Sequence, residues 1–181
     1  MIRIGICGKA GTGKDTAAKY ILKKYKNIKQ VAFADPIKKI AETMYPNIDK
    51  KWLYGPSQFR NSIIKNAFKN NEPLSVRQLL IDIGTAGRAY NENIWIESVF
   101  NNINLTSDSF IFSDIRFINE FNYLKKNNFK TIKIKRIKNN SPNSETETQL
   151  DLIPEDEFSC IIDNDYDIKH LYEKIDDFLM I

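Results

Sequence analysis

A short apolar segment runs directly into a glycine-rich loop at the start of the chain. Residues 2–7 read Ile-Arg-Ile-Gly-Ile-Cys, and residues 8–14 read Gly-Lys-Ala-Gly-Thr-Gly-Lys. The glycines allow backbone conformations that a Cβ atom forbids, so successive N–H groups can converge on a polyphosphate. A helix predicted from about Asp15 to Tyr25 directs its positive N-terminal end at the same anion. The sequence therefore predicts a strand, a phosphate-binding loop and a helix in an α/β fold.

Lys14 adds a mobile positive charge for the β- and γ-phosphates of a nucleotide. The residue after this lysine is commonly Ser or Thr, whose hydroxyl binds Mg²⁺, whereas this chain has Asp15 followed by Thr16. The alternative is a glycine-rich turn that binds nothing. The predicted nucleotide-binding residues are Gly8, Lys9, Ala10, Gly11, Thr12, Gly13, Lys14, Asp15 and Thr16.

Composition favours one water-soluble domain spanning residues 1–181. The chain has 42% hydrophobic and 28% charged residues, and no apolar run approaches the roughly 20 residues that span a bilayer. The first strand is too short for a secretory signal, so we expect a cytoplasmic protein. The net charge of +4 comes with scattered lysines. That distribution favours a solvated surface that attracts anionic nucleotides over a nucleic-acid polymer interface.

The cysteines and the histidine do not indicate a metal site. Cys7 and Cys160 both lie in apolar, strand-like runs and are interpreted as core residues. His170, the only histidine, has no neighbouring histidine or cysteine in the sequence. We therefore expect neither a disulfide framework nor a zinc site.

Apolar segments alternate with helical periods in the order expected of βαβ units, which predicts a five-stranded parallel, doubly wound sheet. The predicted strands are Ile2–Cys7, Gln30–Phe33, Ser109–Phe112, Lys130–Ile137 and Ser159–Ile162. The predicted helices are Asp15–Tyr25, Asp35–Tyr45, Ser57–Phe68, Ser75–Ile83, Asn93–Ile103, Phe117–Asn127 and Asp167–Met180. Lys133 and Lys135 alternate with isoleucines, a pattern that fits a half-exposed strand better than a buried one.

A long insertion, about residues 35–106, separates the second and third strands. It is predicted to be almost entirely helical and to form a second substrate site. Ser75 to Gln78 form a capping box, and Gly84 is expected to end or loosen the helix that follows. Arg77 and Arg88 would lie about 16 Å apart on an unbroken helix, too far to hold one phosphate. A break at Gly84 would bring them closer.

Residues 138–144 are polar and rich in turn formers, between the last two predicted strands. They lie directly after Arg136 and before several acidic residues. The stretch of about 138–158 is therefore a candidate lid or nucleotide-clasping loop, with a plain surface loop as the alternative.

Six motifs together resemble the phage deoxynucleoside monophosphate kinases, a branch of the P-loop kinases related to adenylate kinase. In sequence order they begin at residues 8–16 (GKAGTGKDT), 33–38 (FADPIK) and 75–85 (SVRQLLIDIGT), then the helix containing Trp95, residues 113–120 (SDIRFINE) and residues 161–165 (IIDND). The Gly-Lys-Asp-Thr form of the loop is usual in that branch. Family members often carry His-x-Ser-Glu before the last strand, where this chain has Ser144.

The resemblance implies transfer of the γ-phosphoryl group of ATP to a deoxynucleoside monophosphate by a P-loop kinase fold. Phosphoryl transfer needs two anions held in line with their charge neutralised, which explains the many cationic candidates. The implied catalytic residues are Lys14, Asp114, Arg116 and Arg136, and Mg²⁺ would be held by Asp15, Thr16 or Asp114. The implied acceptor-binding residues are Phe33, Asp35, Arg60, Arg77, Arg88 and Trp95, with Tyr54 as a further aromatic candidate. For Asp114, the alternative is a helix N-cap.

Two other functions remain open from the sequence. One is a P-loop kinase for another small acceptor, such as dephospho-coenzyme A. The other is a non-catalytic nucleotide-binding regulatory protein, which would need fewer arginines outside the loop. We expect small nucleotides as partners and a monomer or homodimer.

Overall fold

Five short strands form one parallel sheet at the centre of the fold. The computed structural model describes residues 1–106, 108–137 and 149–180. The sheet strands are β1 (Arg3–Cys7), β2 (Ile28–Val31), β5 (Ser109–Phe112), β6 (Lys130–Lys135) and β7 (Cys160–Asp163), in the spatial order β2-β5-β1-β6-β7. Strand order reverses on the two sides of β1, so the carboxyl end of β1 lies at the switch point where open α/β sheets bind ligands. The predicted five-stranded parallel sheet is confirmed.

Helices cover both faces of this sheet. They are α1 (Lys14–Lys24), α6 (Ile118–Lys126) and α7 (Ile168–Leu179). One core joins α1 and α7 to the sheet through residues such as Ile6, Ile21 and Ile175. On the other face, Leu124 of α6 lies directly over Gly5 of β1. Burial on both faces explains the short, nearly all-apolar strands β1 and β5.

Strand β6 shows how a central strand accommodates alternating lysines. Its isoleucines point into the buried core, while the Lys133 ammonium group lies 5.1 Å from the centre of the Phe158 ring. Lys135 forms an ion pair with Glu155 at 2.9 Å. Two 3₁₀ turns, Leu150–Leu152 and Glu155–Glu157, carry this covering segment. One lysine charge is therefore placed against an aromatic ring and the other is paired with a carboxylate, so β6 is less exposed than its sequence pattern suggests.

The chain divides into two compact units. The α/β unit consists of Met1–Ala32 and Ile103–Ile181, and the inserted unit consists of Phe33–Asn102. Residues 138–148 of the candidate lid, including Ser144, lie outside the described residues. In the remainder, Leu150, Ile153 and Phe158 are buried.

The inserted unit contains helices around a small hairpin. Its elements are α2 (Asp35–Met44), α3 (Lys50–Tyr54), a 3₁₀ turn (Ser57–Asn61), β3 (Ile63–Lys69), β4 (Glu72–Ser75), α4 (Val76–Tyr90) and α5 (Ile94–Phe100). Its core includes Ala41, Leu53, Ile64, Leu74 and Leu79.

The helix predicted over Ser57–Phe68 is wrong. Asn66 has a left-handed φ of 60° and lies within the irregular part of the β3–β4 pairing, between Ile63 and Phe68. This irregularity places Ile64 and Ala67, three positions apart, on one buried face, which imitates helical spacing. Asn70 and Asn71, both left-handed, form the two-residue hairpin turn. The adjacent asparagines between β-compatible residues were the sequence signal that could have predicted this hairpin.

Helix α4 runs through Gly84 without a break, so the expected end or loosening there is also wrong. The neighbours explain the glycine: a Cβ atom would lie 3.3 Å from both Ile37 Cδ1 and Arg88 Nη2. Gly84 therefore permits close packing of α4 against Ile37 of α2 and against its own Arg88 side chain, rather than terminating the helix. As a result, Arg77 and Arg88 remain three turns apart, about 16 Å along the axis.

Candidate functional site

The loop between β1 and α1 adopts three positive φ angles. Gly8, Gly11 and Gly13 have φ values of 145°, 76° and 107°. These conformations are costly for residues with a Cβ atom, which accounts for a glycine at each position. Gly13 is also the N-cap residue of α1, so the loop ends at the positive end of the helix. The structure thus has the backbone conformation that the sequence pattern predicts.

The carbonyl oxygen of Lys9 organises the inside of this loop. It accepts hydrogen bonds from the backbone N–H of Thr12 at 3.3 Å and from its hydroxyl at 2.9 Å. The ammonium group of Lys14 donates to the same oxygen at 2.6 Å. The positive charge of Lys14 is therefore folded back over the loop, where the geometry can present it to an anion.

The loop is packed tightly against the ends of two sheet strands. A Cβ atom on Gly8 would collide with the carbonyl oxygen of Ile134 in β6. Beyond β7, the side-chain amide of Asn164 donates to the carbonyl oxygen of Thr12 at 2.8 Å. Asn164 is 5% exposed, and sequence reasoning assigned it no role. The available signals were its place in the motif at residues 161–165 and its position after the last parallel strand.

Two further charged side chains reach the loop from the α/β unit. Arg136, just after β6, donates from Nη1 to the carbonyl oxygen of Gly11 at 3.5 Å. Lys9 forms an ion pair with Asp151 at 2.9 Å. The structure therefore brings predicted Arg136 to the loop, together with Asp151, one of the acidic residues that follow residues 138–144 in the sequence.

A cavity of about 480 Å³ lies beside the loop. It is lined by Cys7, Gly8, Lys9, Thr12, Lys133, Ile134, Lys135, Arg136, Ile137, Leu150, Asp151 and Glu155. Burial raises the pKa of the Cys7 thiol to about 12, so this cysteine stays neutral and is not a nucleophile at physiological pH. The hydrogen bond from Lys135 lowers the pKa of Glu155, which keeps that carboxylate charged. Cations dominate the polar part of the wall, as expected beside an anion site.

Asp114 and Arg116 follow the carboxyl end of β5, the strand paired with β1. The buried carboxylate of Glu120 accepts the backbone N–H groups of Arg116 at 2.8 Å and of Phe117 at 3.2 Å. Phe117 occupies the N-cap position of α6, so Asp114 does not take the N-cap alternative. Glu120 therefore fixes the backbone that carries the predicted catalytic pair. The motif contained this residue, but sequence reasoning gave it no role.

The arginines of the inserted unit occupy separate places. Arg77 is exposed and donates from Nε to Asn61 at 2.9 Å and from Nη2 to the Ser57 carbonyl at 3.2 Å. Arg88 lies beside Gly84, one turn earlier on α4. The expectation that a helix break brings Arg77 and Arg88 together is wrong, because α4 is continuous.

Of the three predicted aromatic residues of the inserted unit, Tyr54 is exposed and the other two are buried. Phe33 and Trp95 are both buried, and the Trp95 indole donates to the Gly84 carbonyl at 3.0 Å. Asp35 is more accessible and forms an ion pair with Lys38 at 2.8 Å. Lys38 is only 8% exposed, and its ammonium group lies 5.3 Å from the centre of the Tyr54 ring. This buried lysine, which sequence reasoning missed, links two of the predicted acceptor-side residues.

The predicted metal ligands near the loop are carboxylate and hydroxyl oxygens. Asp15 lies in the first turn of α1 and Thr16 follows it. Among residues 1–106, 108–137 and 149–180, the structure brings no three His, Cys, Asp or Glu side chains into a metal-binding group. A few carboxylate and hydroxyl oxygens suit Mg²⁺, which keeps several waters and binds substrate phosphates. No helix within the same residues is long and apolar enough to cross a membrane.

The parallel sheet, its strand order and the glycine loop at the central strand define the class of P-loop phosphotransferases. The profile of the deoxynucleotide monophosphate kinase family matches residues 54–175, more than half of the 181-residue chain. The chain belongs to this family, and it is an ATP-dependent kinase that phosphorylates a nucleoside monophosphate. The matched segment begins after the glycine loop, so the loop indicates a P-loop kinase independently of the family match. No curated protein sequence matches the chain.

Two solved structures show the same fold. TT1252 from Thermus thermophilus superposes with a TM-score of 0.51 at 16% identity, over 99% of this chain and 96% of that chain. A dephospho-CoA kinase from Campylobacter jejuni gives a TM-score of 0.53 at 12% identity, over 98% and 94% of the two chains. At these identities the likeness concerns the fold alone.

Proposed function

We propose that the loop Gly8–Thr16 holds the phosphates of ATP, as a Walker A loop of the phage type, in a cytoplasmic monomer or homodimer. The observation that carries this proposal is the set of three left-handed glycines ending at the N-terminus of α1. Backbone N–H groups in such a loop, together with the helix dipole, favour a polyphosphate. Lys14 then supplies a charge to the transferred phosphoryl group.

The reaction requires the γ-phosphoryl group to be held in line with an acceptor phosphate while its developing charge is neutralised. In the α/β unit, Lys14 and Arg136 are the cations that contact the loop. Arg116, held on the backbone that Glu120 fixes, supplies a third charge. Asp114, beside it, would orient Mg²⁺ or the acceptor phosphate. Each of these residues binds or orients, and none forms a covalent intermediate.

Mg²⁺ fits the oxygen donors at the start of α1 and after β5. Asp15, Thr16 and Asp114 would hold it directly or through water, and it would supply charge neutralisation to the phosphates. The inserted unit contributes the acceptor-binding groups Arg60, Arg77 and Arg88, with Asp35 toward the base and sugar. Because α4 is continuous, Arg77 and Arg88 contact different parts of the acceptor.

A second acceptor class has one supporting observation. The fold likeness to a dephospho-CoA kinase makes dephospho-coenzyme A the alternative acceptor to test. The family match favours the nucleoside monophosphate.

One assay decides between these acceptors. Purified protein is given ATP, Mg²⁺ and, in turn, each deoxynucleoside monophosphate and dephospho-coenzyme A, and ADP is measured. We expect ADP and a nucleoside diphosphate with at least one deoxynucleotide. Turnover with dephospho-coenzyme A alone would favour the alternative. ATP binding without turnover on any acceptor would favour a regulatory nucleotide-binding protein.

A further inference from the structure

Asn164 is a buried polar residue that joins the last strand to the phosphate-binding loop. Its backbone N–H donates to the Lys135 carbonyl at 2.8 Å, which extends the pairing of β7 with β6 by one residue. Its side-chain amide donates to the Thr12 carbonyl at 2.8 Å. The two hydrogen bonds fix the residue from both ends. Because a carbonyl only accepts, the amide NH₂ group, and not its oxygen, must face Thr12.

This contact determines the orientation of one peptide group in the loop. The carbonyl of Thr12 and the N–H of Gly13 belong to the same planar trans peptide, in which they point in opposite directions. Since Asn164 holds the Thr12 oxygen toward the end of β7, the Gly13 N–H points away from Asn164. The Gly13 N–H is also at the first turn of α1, where helix N–H groups lack intrahelical partners.

Position 13 requires glycine for two reasons: its positive φ, and the close approach of the Asn164 side chain. A Cβ atom at position 13 would lie 2.5 Å from Nδ2 of Asn164. The amide therefore occupies the space that any other residue would fill. Asn164 and Thr12 are separated by 152 residues in the sequence and meet only in the folded protein. Asn164 is thus one of the contacts through which the sheet sets the conformation of the loop.

We propose that Asn164 is a positioning residue for the donor nucleotide: it locks the Thr12–Gly13 peptide so that the Gly13 N–H donates to the polyphosphate. This inference rests on the proposed role of the loop as the ATP site. Removing the amide leaves a buried carbonyl without its donor and lets the peptide rotate. A rotated peptide presents an oxygen instead of an N–H group to the anion.

The test measures binding of inorganic tripolyphosphate, and the KM values for ATP and for the acceptor, in Asn164→Ala and Asn164→Asp. Tripolyphosphate isolates the phosphate contacts from those of the base. We expect Asn164→Ala to weaken tripolyphosphate binding and raise the KM for ATP by about tenfold, the typical effect of a lost buried hydrogen bond. Asn164→Asp keeps the shape but sets an oxygen against the Thr12 carbonyl, so its effect is larger. The KM for the acceptor at saturating ATP stays within twofold.

Ile175→Val in the core of α7 is the control for general destabilisation, because Ile175 is fully buried and belongs to the core beneath the sheet. It lowers the unfolding temperature without changing tripolyphosphate binding. If the wild-type protein does not bind tripolyphosphate, the assignment of the loop to ATP fails. If the wild type binds it and both Asn164 variants bind it within twofold, that assignment stands and the role of Asn164 is overturned. Equal losses in Ile175→Val would overturn it as well.

Discussion

The candidate binding groups of the α/β unit and those of the inserted unit are built in different ways. In the α/β unit, the loop Gly8–Gly13 is shaped by backbone conformation, and its neighbours Ile134 and Asn164 leave no space for side chains at Gly8 and Gly13. In the inserted unit, the candidates are long side chains, such as Arg77 and Arg88, on a regular helix. A site made from backbone is fixed by the fold, whereas one made from side chains depends on which residues the packing leaves accessible. The first should tolerate fewer substitutions than the second.

The largest difference is expected at Lys14. Lys14→Met removes the charge that folds back over the loop, and we expect kcat/KM to fall by about 10²–10³-fold, as for other preorganised groups that stabilise the transition state. Lys19→Met, an exposed position on the same helix, is the matched control and should stay within twofold of wild type. Steady-state kinetics with ATP and the best deoxynucleotide measures both. Equal activity of the two variants would show that Lys14 has no role in catalysis.

A pair of glycines tests the packing of the inserted unit. A Cβ atom on Gly87 would overlap the ring of Trp95, so we expect Gly87→Ala to destabilise the protein by about 1–3 kcal/mol. At Gly84 the new atom meets neighbours at 3.3 Å, and the gain in helix propensity of about 1 kcal/mol offsets that crowding. Denaturant unfolding should therefore separate the two variants clearly. Similar losses at both sites would contradict the packing described for Trp95.

The two arginines of α4 test the separation of acceptor contacts. Because they lie about 16 Å apart, Arg77→Lys and Arg88→Lys should act independently on the KM for the acceptor. The free-energy changes of the double variant should then equal the sum of the single changes within about 0.5 kcal/mol. A double-mutant cycle on acceptor KM measures this. A larger interaction energy would mean that both arginines grip the same phosphate.

The smallest effect concerns the thiols, and both cysteines lie in the α/β unit. Burial raises the pKa of Cys7 to about 12 and also raises the pKa of Cys160, so both remain protonated at pH 8. We expect labelling by a thiol reagent to be slow, with the partly exposed Cys160 reacting before Cys7. The unfolded chain loses the Cys7 proton near the ordinary value of 9.0, whereas the folded protein keeps it to about 12. This contribution to stability is therefore complete below pH 9 and is lost between pH 9 and 12. Faster labelling of Cys7 than of Cys160 would contradict the burial described.

Sequence predicted the α/β unit better than the inserted unit, for physical reasons. A left-handed backbone requires glycine, so Gly8, Gly11 and Gly13 reveal the loop directly. The hairpin β3–β4 was missed because the irregular pairing around Asn66 gives buried residues a helix-like spacing. Gly84 was misread because a helical glycine can serve close packing as well as termination.

The side-chain contacts between distant parts of the chain could not be predicted from the sequence. Asn164 and Thr12 are 152 residues apart and meet only because β7 and the loop end at the same edge of the sheet. Glu120 is nearer in sequence to Arg116, but its role depends on its carboxylate turning back toward the preceding backbone. Single-sequence patterns identify residue types and local conformation, and such partnerships follow from the fold.

In the proposed function, the loop of the α/β unit binds ATP and the inserted unit binds the acceptor. The most direct test of this division is a pair of variants measured with both substrates. Gly13→Ala places a Cβ atom against Asn164 and strains a φ of 107°, and Arg88→Lys shortens a side chain of the inserted unit. Initial velocities over a grid of ATP and deoxynucleoside monophosphate concentrations give the KM for each substrate. We expect Gly13→Ala to raise the KM for ATP alone and Arg88→Lys to raise the KM for the acceptor alone. A rise in the acceptor KM in Gly13→Ala with the ATP KM unchanged, or the reverse in Arg88→Lys, would contradict it.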